Sequence, residues 1–284
     1  MTDKVDAAPD VTHGADTEDA GLNPLFSFGA ISDVQYADIP NHLNYTKTCM
    51  RYYRDAAVKV QEAALTWNED DTNKPSFTVH LGDLIDGFNS KEGKANSEKV
   101  LQDILIEFDK FDGPIHHVLG NHEFYNFTRN ELFNGRLNTS KLDPTSVTDA
   151  SSSDQDTDQS DKSDKCGCKQ RLYYKFNPHP DFCFIVLDTY DISVLGHVED
   201  CPHHAEAMET LCAVNKNEGF MLNSAEGLVG LEQRYVKYNG GIGEEQLLWL
   251  KMVLQEATEK DQRVFILCEY KVNCNGYGLS LVCY

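Results

Sequence analysis

The stretch Gly120-Asn121-His122-Glu123 follows a short apolar run, Ile115 to Leu119, which predicts a buried strand that ends in a tight turn. Two similar strand ends come earlier in the chain: Ser32-Asp33-Val34-Gln35 and Gly82-Asp83-Leu84-Ile85-Asp86-Gly87. Carboxylate, amide and imidazole groups at strand ends are typical of metal and acid–base sites in α/β sheets. The three segments together predict one site to which each contributes.

Strands and helices alternate along this part of the chain. Apolar runs predict strands at 25–31, 77–81 and 115–119, and helical periodicity predicts helices at 46–68 and 97–111. This order indicates an α/β domain with parallel strands whose carboxyl ends share one edge. Further along, the pattern predicts an antiparallel pair of strands at 171–176 and 182–187, helices at 202–214 and 244–257, and a strand at 264–267.

Composition divides the chain into four parts. Residues 1–23 are acidic and poor in apolar side chains, and we expect a disordered tail; residues 24–267 form the domain. Within it, 141–168 reads as a disordered acidic insertion because Thr145 to Lys165 is mostly Ser, Asp and Thr. Residues 268–284 have no clear periodicity and form a divergent C-terminal segment. We expect the last sheet to be incomplete, with exposed apolar edges.

The formal net charge of −21 argues against general nucleic-acid binding, which needs a basic surface. The sequence contains no 18-residue apolar stretch and its N-terminus lacks a secretory signal pattern, so we expect no membrane span and a cytoplasmic or nuclear location. The nine cysteines have no disulfide-framework spacing, which predicts mostly reduced thiols. Nothing in the pattern indicates an oligomer, and we expect a monomer.

The carboxylates of Asp33 and Asp83 are hard oxygen ligands that suit Mn²⁺ or Mg²⁺, and Gln35 and Asn121 add neutral amide oxygens. Asp83, at the central strand end, is the candidate bridge between two divalent ions, which together would attract a phosphate. A single Asp after a strand is more often a turn residue or a helix cap. The metal-site prediction therefore depends on the three segments together.

His122 would protonate the leaving oxygen or stabilise charge on the phosphoryl group. Asp86 would orient His122 through a hydrogen bond. The sequence leaves the substrate-binding residues unknown.

Other metal-capable groups are weaker candidates, and each has a structural alternative. Cys166-Gly167-Cys168 favours a loop, Cys201-Pro202-His203-His204 favours a helix start, and Asp188 and Asp191 favour a turn over a substrate wall. His116 and His117 alternate along a strand, so one would face the site and the other the core.

At these residues the chain resembles the calcineurin-like metallophosphoesterases, whose pattern runs Asp-x-His, Gly-Asp-x-x-Asp and Gly-Asn-His-Asp/Glu. Gln35 in place of the usual His, together with Gly120 to Phe127 and Leu187 to Asp191, is similar to one branch, the manganese-dependent ADP-ribose/CDP-alcohol diphosphatases. The resemblance implies a four-layer α/β/β/α sandwich and two divalent ions, Mn²⁺ foremost, with Mg²⁺ and Zn²⁺ as alternatives.

The resemblance also implies roles for individual residues. It assigns one metal to Asp33 and Gln35, the bridge to Asp83 and the second metal to Asn121. It makes His122 the catalytic acid with Asp86 as its partner. The implied reaction is hydrolysis of the diphosphate bond of ADP-ribose, CDP-choline, CDP-ethanolamine or CDP-glycerol to a nucleoside monophosphate and a phosphorylated product.

The chain departs from this pattern near its C-terminus. Cys268-Glu269 stands where the family has Ser-His, and no His occurs after His204, so three metal-ligand imidazoles are missing. This pattern is that of a truncated or alternatively spliced product, and we expect weaker metal binding. The first hypothesis is a metal-dependent nucleotide diphosphatase, impaired by this loss. The second is a non-catalytic product that binds metal or nucleotide weakly, and the third is a phosphoesterase acting on phosphomonoesters or cyclic nucleotides.

Overall fold

The computed structural model describes residues 24–44, 46–70, 72–142, 170–199 and 201–269, and the backbone of 279–283. The predicted N-terminal tail, nearly all of the predicted acidic insertion and the Cys166-Gly167-Cys168 candidate lie outside these residues.

The described residues form an alternating series of strands and helices. The strands are β1 (Phe28–Ile31), β2 (His42–Leu43), β3 (Met50–Arg51), β4 (Phe77–Leu81), β5 (Ile115–Val118), β6 (Tyr174–His179), β7 (Phe182–Val186), β8 (Ile192–Ser193), β9 (Gly240–Gly241), β10 (Arg263–Glu269) and β11 (Leu279–Cys283). The helices are α1 (Asp55–Glu69), α2 (Lys94–Phe108), α3 (Asn121–Asn126), α4 (Arg129–Asn134), α5 (Pro202–Val214) and α6 (Glu244–Glu259).

Two sheets face each other at the centre of the molecule. The first has the order β1-β4-β5 with all strands parallel, as the alternating pattern predicts. The second has the order β11-β10-β7-β6, in which β10 runs parallel to β7 and the other pairs are antiparallel. A core rich in aromatic rings joins the two sheets, and it includes Phe77, Val118, Phe176, Phe184 and Leu267.

Helices cover the outer face of each sheet. Val60 of α1 and Ile104 and Phe108 of α2 lie in the core on the outer side of the first sheet. Val253 and Ala257 of α6 pack with Ile185 on the outer side of the second sheet. The four-layer α/β/β/α sandwich implied by the family resemblance is therefore confirmed.

Helix α1 begins at Asp55, nine residues later than the periodicity predicted. The intervening residues form the β2–β3 hairpin, because the Asn44 side chain accepts hydrogen bonds from the backbone N–H groups of Thr48 (2.8 Å) and Cys49 (3.2 Å). Asx side chains compete with helix formation in this way. Helix α2 begins earlier than predicted, directly after Gly93, whose φ of 91° lies in the left-handed region.

The second sheet continues beyond the predicted end of its last strand. Strand β10 extends to Glu269, and β11 pairs antiparallel with it from Phe265 to Glu269. The expectation of an unpaired edge at β10 is therefore wrong for the part of the chain that the structure describes.

The cysteines are mostly free thiols, as expected: these are Cys49, Cys183, Cys212 and Cys268. Cys201, however, is disulfide-bonded, which the spacing of the cysteines did not predict.

Among the described residues, no helix is long and apolar enough to span a membrane.

The two consecutive histidines of β5 both lie in the core. His116 stacks on Phe176 at 3.6 Å between the sheets, and its Nδ1 lies 3.0 Å from the Tyr174 hydroxyl. His117 packs against Phe108 and His80 on the helix side. The prediction that one of the pair faces the site is therefore wrong. Burial lowers the pKa of His80 from 6.5 to about 4.

The buried imidazole of His80 predicts acid sensitivity. Because its folded-state pKa is lowered, neutral His80 stabilises the fold above pH 6.5, and that stability is lost as the pH falls towards 4. Between pH 6.5 and about pH 4.5, we expect His80→Leu to lose about 2 kcal/mol less unfolding free energy than the parent. Urea denaturation at both pH values measures this difference, with exposed His42→Leu as the control. Equal losses in the parent and in His80→Leu would contradict the prediction.

Candidate metal centre

The loops that follow β1 and β4 run side by side and continue the parallel pairing of the two strands. Backbone N–H groups of Asp33, Gln35 and Tyr36 donate to the carbonyls of Gly82 (3.1 Å), Asp83 (2.8 Å) and Leu84 (3.0 Å). This pairing brings the predicted ligands of two strand ends within side-chain reach. It confirms that Asp33, Gln35 and Asp83 converge, as the parallel strands predicted.

Backbone conformation sets these residues apart. Asp33, Gln35 and Asp83 have φ values of 50°, 44° and 60°, in the left-handed region that non-glycine residues rarely adopt. They are three of the five such non-glycine residues among those the structure describes. Each costs on the order of 1–3 kcal/mol, and such strain collects at functional sites. The local conformation therefore supports a site at this sheet edge.

Asp83 lies at the centre of the cluster and is fully buried. Its Oδ1 accepts a hydrogen bond from the backbone N–H of His122 at 3.0 Å. The Gln35 side-chain amide donates to Asp33 Oδ1 (3.1 Å) and to Asp83 Oδ2 (3.3 Å). Asn121 is buried between Gly120 and His122 at the start of α3. The four predicted metal ligands therefore occupy one small region.

The His122 ring has a defined tautomer. Its Nδ1 accepts a hydrogen bond from the backbone N–H of Gly87 at 2.8 Å, so a neutral ring carries its proton on Nε2. That nitrogen lies 3.8 Å from Asp83 Oδ2. The proton-bearing atom of the predicted acid is thus directed towards the predicted bridging carboxylate.

Asp86 has a different local role from the predicted one. Its Oδ2 lies 3.6 Å from His122 Nδ1, too far for a hydrogen bond but within ion-pair range of a protonated ring. Its Oδ1 accepts from the Phe88 N–H at 2.8 Å and caps the 3₁₀-helix Gly87–Glu92. The hydrogen bond that orients His122 therefore comes from Gly87, with Asp86 beside the ring.

Glu123 belongs to the stretch Gly120-Asn121-His122-Glu123, but no role was predicted for it from the sequence pattern. Its buried carboxylate accepts backbone N–H bonds from Asp83 (3.0 Å), Leu84 (2.7 Å) and Gly120 (2.7 Å). Burial and the neighbouring Asp83 charge raise the pKa of Glu123 to about 8, although the three N–H bonds oppose that shift. The available signal was its position three residues after Gly120, at the start of a helix.

A second buried network supports the Asp188–Asp191 turn and was also missed. Arg129 of α4 donates to Asp188 Oδ2 (2.5 Å) and to the Tyr190 carbonyl (2.6 Å). Asp191 Oδ2 accepts from the Gly243 N–H and the Gln246 side chain, both at 3.1 Å. Asp188 and Asp191 are therefore turn residues, as predicted. Nothing in the sequence marks Arg129 as buried.

The remaining candidates lie outside this cluster. Cys201 and Pro202 begin α5, as predicted from the proline. A cavity of about 430 Å³ lies between the β8–β9 pair and α5, and Thr189, Arg234, Tyr235 and Lys237 are among its lining residues. Its lining includes none of the predicted metal ligands, so the cavity and the metal centre are separate features.

The residues present have the chemistry of a hard-cation site. Asp33 and Asp83 supply carboxylate oxygens, and Gln35 and Asn121 supply amide oxygens, a donor set that suits Mn²⁺ or Mg²⁺. The close approach of Gly120 to Asp83 leaves room only for hydrogen, because an added Cβ would lie 2.3 Å from Asp83 Oδ1. Within the described residues, no group of three or more His, Cys, Asp and Glu side chains is arranged to hold a metal ion. The site therefore depends on amide ligands as well as on carboxylates.

This fold and this donor set define a metallophosphoesterase. A model of the calcineurin-like phosphoesterase family matches residues 26–198, and the chain belongs to that family.

Three curated relatives are each named manganese-dependent ADP-ribose/CDP-alcohol diphosphatase. The chain is 42% identical to the Oryza sativa subsp. japonica relative over 247 residues, which are 87% of this chain and 66% of that one. It is 40% identical to the Danio rerio relative over 252 residues (88% and 71%) and 37% identical to the Homo sapiens relative over 243 residues (86% and 65%). The chain thus spans about two thirds of the length of the curated relatives it matches.

One solved structure has a similar fold. A dimetal phosphatase from Danio rerio superposes with a TM-score of 0.71 at 38% sequence identity, covering 86% of this chain and 69% of that one.

The three bonds to Glu123 predict a large cost for its replacement. Glu123→Gln would place an amide NH₂ where the carboxylate accepts a backbone N–H, leaving a buried donor unsatisfied. We expect a loss of about 2–3 kcal/mol in unfolding free energy. Urea denaturation measures it. Glu131→Gln, at the exposed capping box of α4, is the matched control and should lose at most about 1 kcal/mol. A loss at Glu123 no larger than that of the control would contradict this role.

Proposed function

We propose that this chain is a manganese-dependent hydrolase of the diphosphate bond in ADP-ribose and CDP-alcohols such as CDP-choline, CDP-ethanolamine and CDP-glycerol. The observation that carries the proposal is the convergence of Asp33, Gln35, Asp83 and His122 at one sheet edge in a family member. The names of its relatives supply the substrate class. The products would be AMP or CMP and a phosphorylated alcohol or sugar.

Asp33, Gln35, Asp83 and Asn121 would hold two divalent ions, with Mn²⁺ foremost and Mg²⁺ or Zn²⁺ as alternatives. When bound, the ions would polarise the phosphoryl oxygens and balance the negative charge of the diphosphate. In the structure, the Gln35 NH₂ group faces both carboxylates. Rotation of that amide by 180° would present its oxygen in the same place, as a cation ligand requires.

His122 would act as the general acid. Water attacks phosphorus and releases a proton to solvent, the P–O bond to the leaving group breaks, and His122, protonated on both ring nitrogens, gives its Nε2 proton to the departing oxygen and becomes neutral. In the neutral ring the Gly87 N–H occupies the lone pair of Nδ1, so the proton lies on Nε2, and the acid form would gain its second proton on Nδ1 in place of that bond. Asp86, at 3.6 Å, would stabilise the ring in its protonated form before the transfer.

A second candidate function is binding of metal or nucleotide without turnover. It is favoured by the absence, within the described residues, of any group of three His, Cys, Asp and Glu side chains arranged for a metal. A third, hydrolysis of phosphomonoesters or cyclic nucleotides, is supported only by the family match, whose description names no particular substrate.

We further propose a monomer in the cytoplasm or nucleus. The compartment is supported by the free thiols of Cys49, Cys183, Cys212 and Cys268, because a reducing compartment keeps thiols unpaired.

The direct test is Mn²⁺-dependent release of AMP from ADP-ribose and of CMP from CDP-choline by the 284-residue chain. We expect turnover, and we expect His122→Ala to lower kcat by at least about 100-fold because the proton donor is lost. His179→Ala, which removes a histidine of β6, is the matched control and should retain parental turnover. Product release is quantified by chromatography.

Two results would redirect the proposal. Folded protein that binds Mn²⁺ without turnover on either substrate would support the second candidate. Turnover confined to p-nitrophenyl phosphate or a cyclic nucleotide would support the third.

The contact between Gly120 and Asp83 predicts a second effect. In Gly120→Ala, the added methyl group would displace the Asp83 carboxylate, so we expect Mn²⁺ affinity to fall by at least about tenfold. Gly241→Ala is the matched control, because an added Cβ there meets only the Ile192 carbonyl oxygen, at 3.9 Å. Calorimetric titration with Mn²⁺ measures both variants. Equal affinities would show that Asp83 does not contribute to the metal centre.

A further inference from the structure

Glu269 is the last residue of β10, and its side chain is buried, with 6% of the residue exposed. A carboxylate is rarely buried unless its charge has a use or a partner. Strand β10 runs parallel to β7, so its carboxyl end lies at the same edge of the sheet as the Asp188–Asp191 turn that follows β7. This placement brings Glu269 from the second sheet towards the loops of the first.

The Glu269 side chain packs directly on the turn that presents Asp83. A Cβ added to Gly82 would lie 2.8 Å from Glu269 Cγ and 3.3 Å from the backbone nitrogen of Gly120. Gly82 also has a φ of 95°, so both its conformation and its surroundings require glycine. Glu269, Gly82 and Gly120 are therefore in close contact, and Asp83 is the next residue along the chain.

Two hydrogen bonds fix Glu269 in this position. The Tyr190 hydroxyl donates to Glu269 Oε2 at 2.6 Å, and the Thr189 hydroxyl donates to the Glu269 backbone carbonyl. The Tyr190 ring in turn packs on Phe124 of α3 at 5.1 Å. Burial raises the pKa of Tyr190 well above its usual value, and the charges of Glu269 and Asp83 add to the shift. Tyr190 therefore remains a neutral donor to the carboxylate.

This arrangement concentrates negative charge. A hydroxyl donor satisfies a lone pair of Glu269 but leaves its charge in place, next to the turn that carries Asp83. Like charges at short range in a buried region are unfavourable, and a divalent cation nearby would reverse that balance. Since the described residues contain no group of three acidic or imidazole ligands arranged around one ion, Glu269 is better placed to act through its charge than as a direct ligand.

We propose that Glu269 is a positioning and charge-balancing residue of the metal centre: its carboxylate, held by Tyr190, strengthens binding of divalent cations at the Asp33–Asp83 site. The inference rests on the metal centre of the proposed function. It adds a residue from the second sheet to a site whose other groups all come from the first sheet and the loops that follow its strands.

The test is calorimetric Mn²⁺ titration of the full chain and of Glu269→Gln, which removes the charge and nearly keeps the shape. We expect the Kd for Mn²⁺ to rise by about 10–100-fold, the range found when groups that support metal ligands are removed. Glu98→Gln, an exposed position on α2, carries the same change in net charge and should leave the Kd unchanged. The thermal midpoint of the metal-free protein should stay constant or rise, while the upward shift caused by Mn²⁺ should shrink.

The outcomes separate the inference from the metal centre itself. A parental Kd in Glu269→Gln, with a lowered metal-free midpoint, would show a purely structural residue and overturn the inference alone. A parent that binds no Mn²⁺ would overturn the metal centre and the inference together. If Glu269→Gln does not fold, Tyr190→Phe keeps the charge but removes its anchor. It should weaken Mn²⁺ binding severalfold, and an unchanged Kd there would equally overturn the inference.

Discussion

The Glu123 carboxylate accepts three backbone N–H bonds from two separate turns, and the geometry of the candidate metal centre depends on these bonds. An intramolecular hydrogen bond contributes about 0.5–1.5 kcal/mol. The left-handed conformations of Asp33, Gln35 and Asp83 cost on the order of 1–3 kcal/mol each. The three bonds to this single buried side chain therefore offset part of the strain of the residues that would bind metal.

The Glu123 carboxylate also adds to electrostatic repulsion at the site. Asp83 and Glu123 are both completely buried, and the Asp83 charge helps to raise the pKa of Glu123. Protonation of one group would relieve the repulsion but would remove an acceptor that the turns need. A divalent cation relieves it and leaves every acceptor in place. The buried hydrogen bonds and the negative charge of the site therefore both favour a bound divalent cation.

Those parts of the fold that depend on local sequence could be predicted. Strand β4 and helix α5 begin and end at the predicted residues, because an apolar run in one case and a proline at the helix start in the other mark their limits. The start of α1 could not be predicted, since the Asn44 side chain stabilises a hairpin within a segment that also has helical periodicity.

The candidate site likewise has features that the sequence could predict and features that it could not. The convergence of Asp33, Asp83 and His122 follows from parallel strands, but the donor to His122 is a backbone N–H of Gly87, which no residue type could reveal.

The packing of the two sheets against each other decides which residues of the second sheet lie at the site. Aromatic rings hold the sheets together: Phe77 of β4 lies 5.2 Å from Phe184 of β7, and Phe28 of β1 lies 6.0 Å from Phe265 of β10. Interiors packed in this way do not slide without losing many contacts. The position of Glu269 against Gly82 is therefore fixed by packing between Phe265 and the first sheet, four residues before the carboxylate itself. The second sheet thus contributes to the site through its rigid core. A substitution between the sheets would therefore displace β10 and, with it, Glu269 at the metal centre.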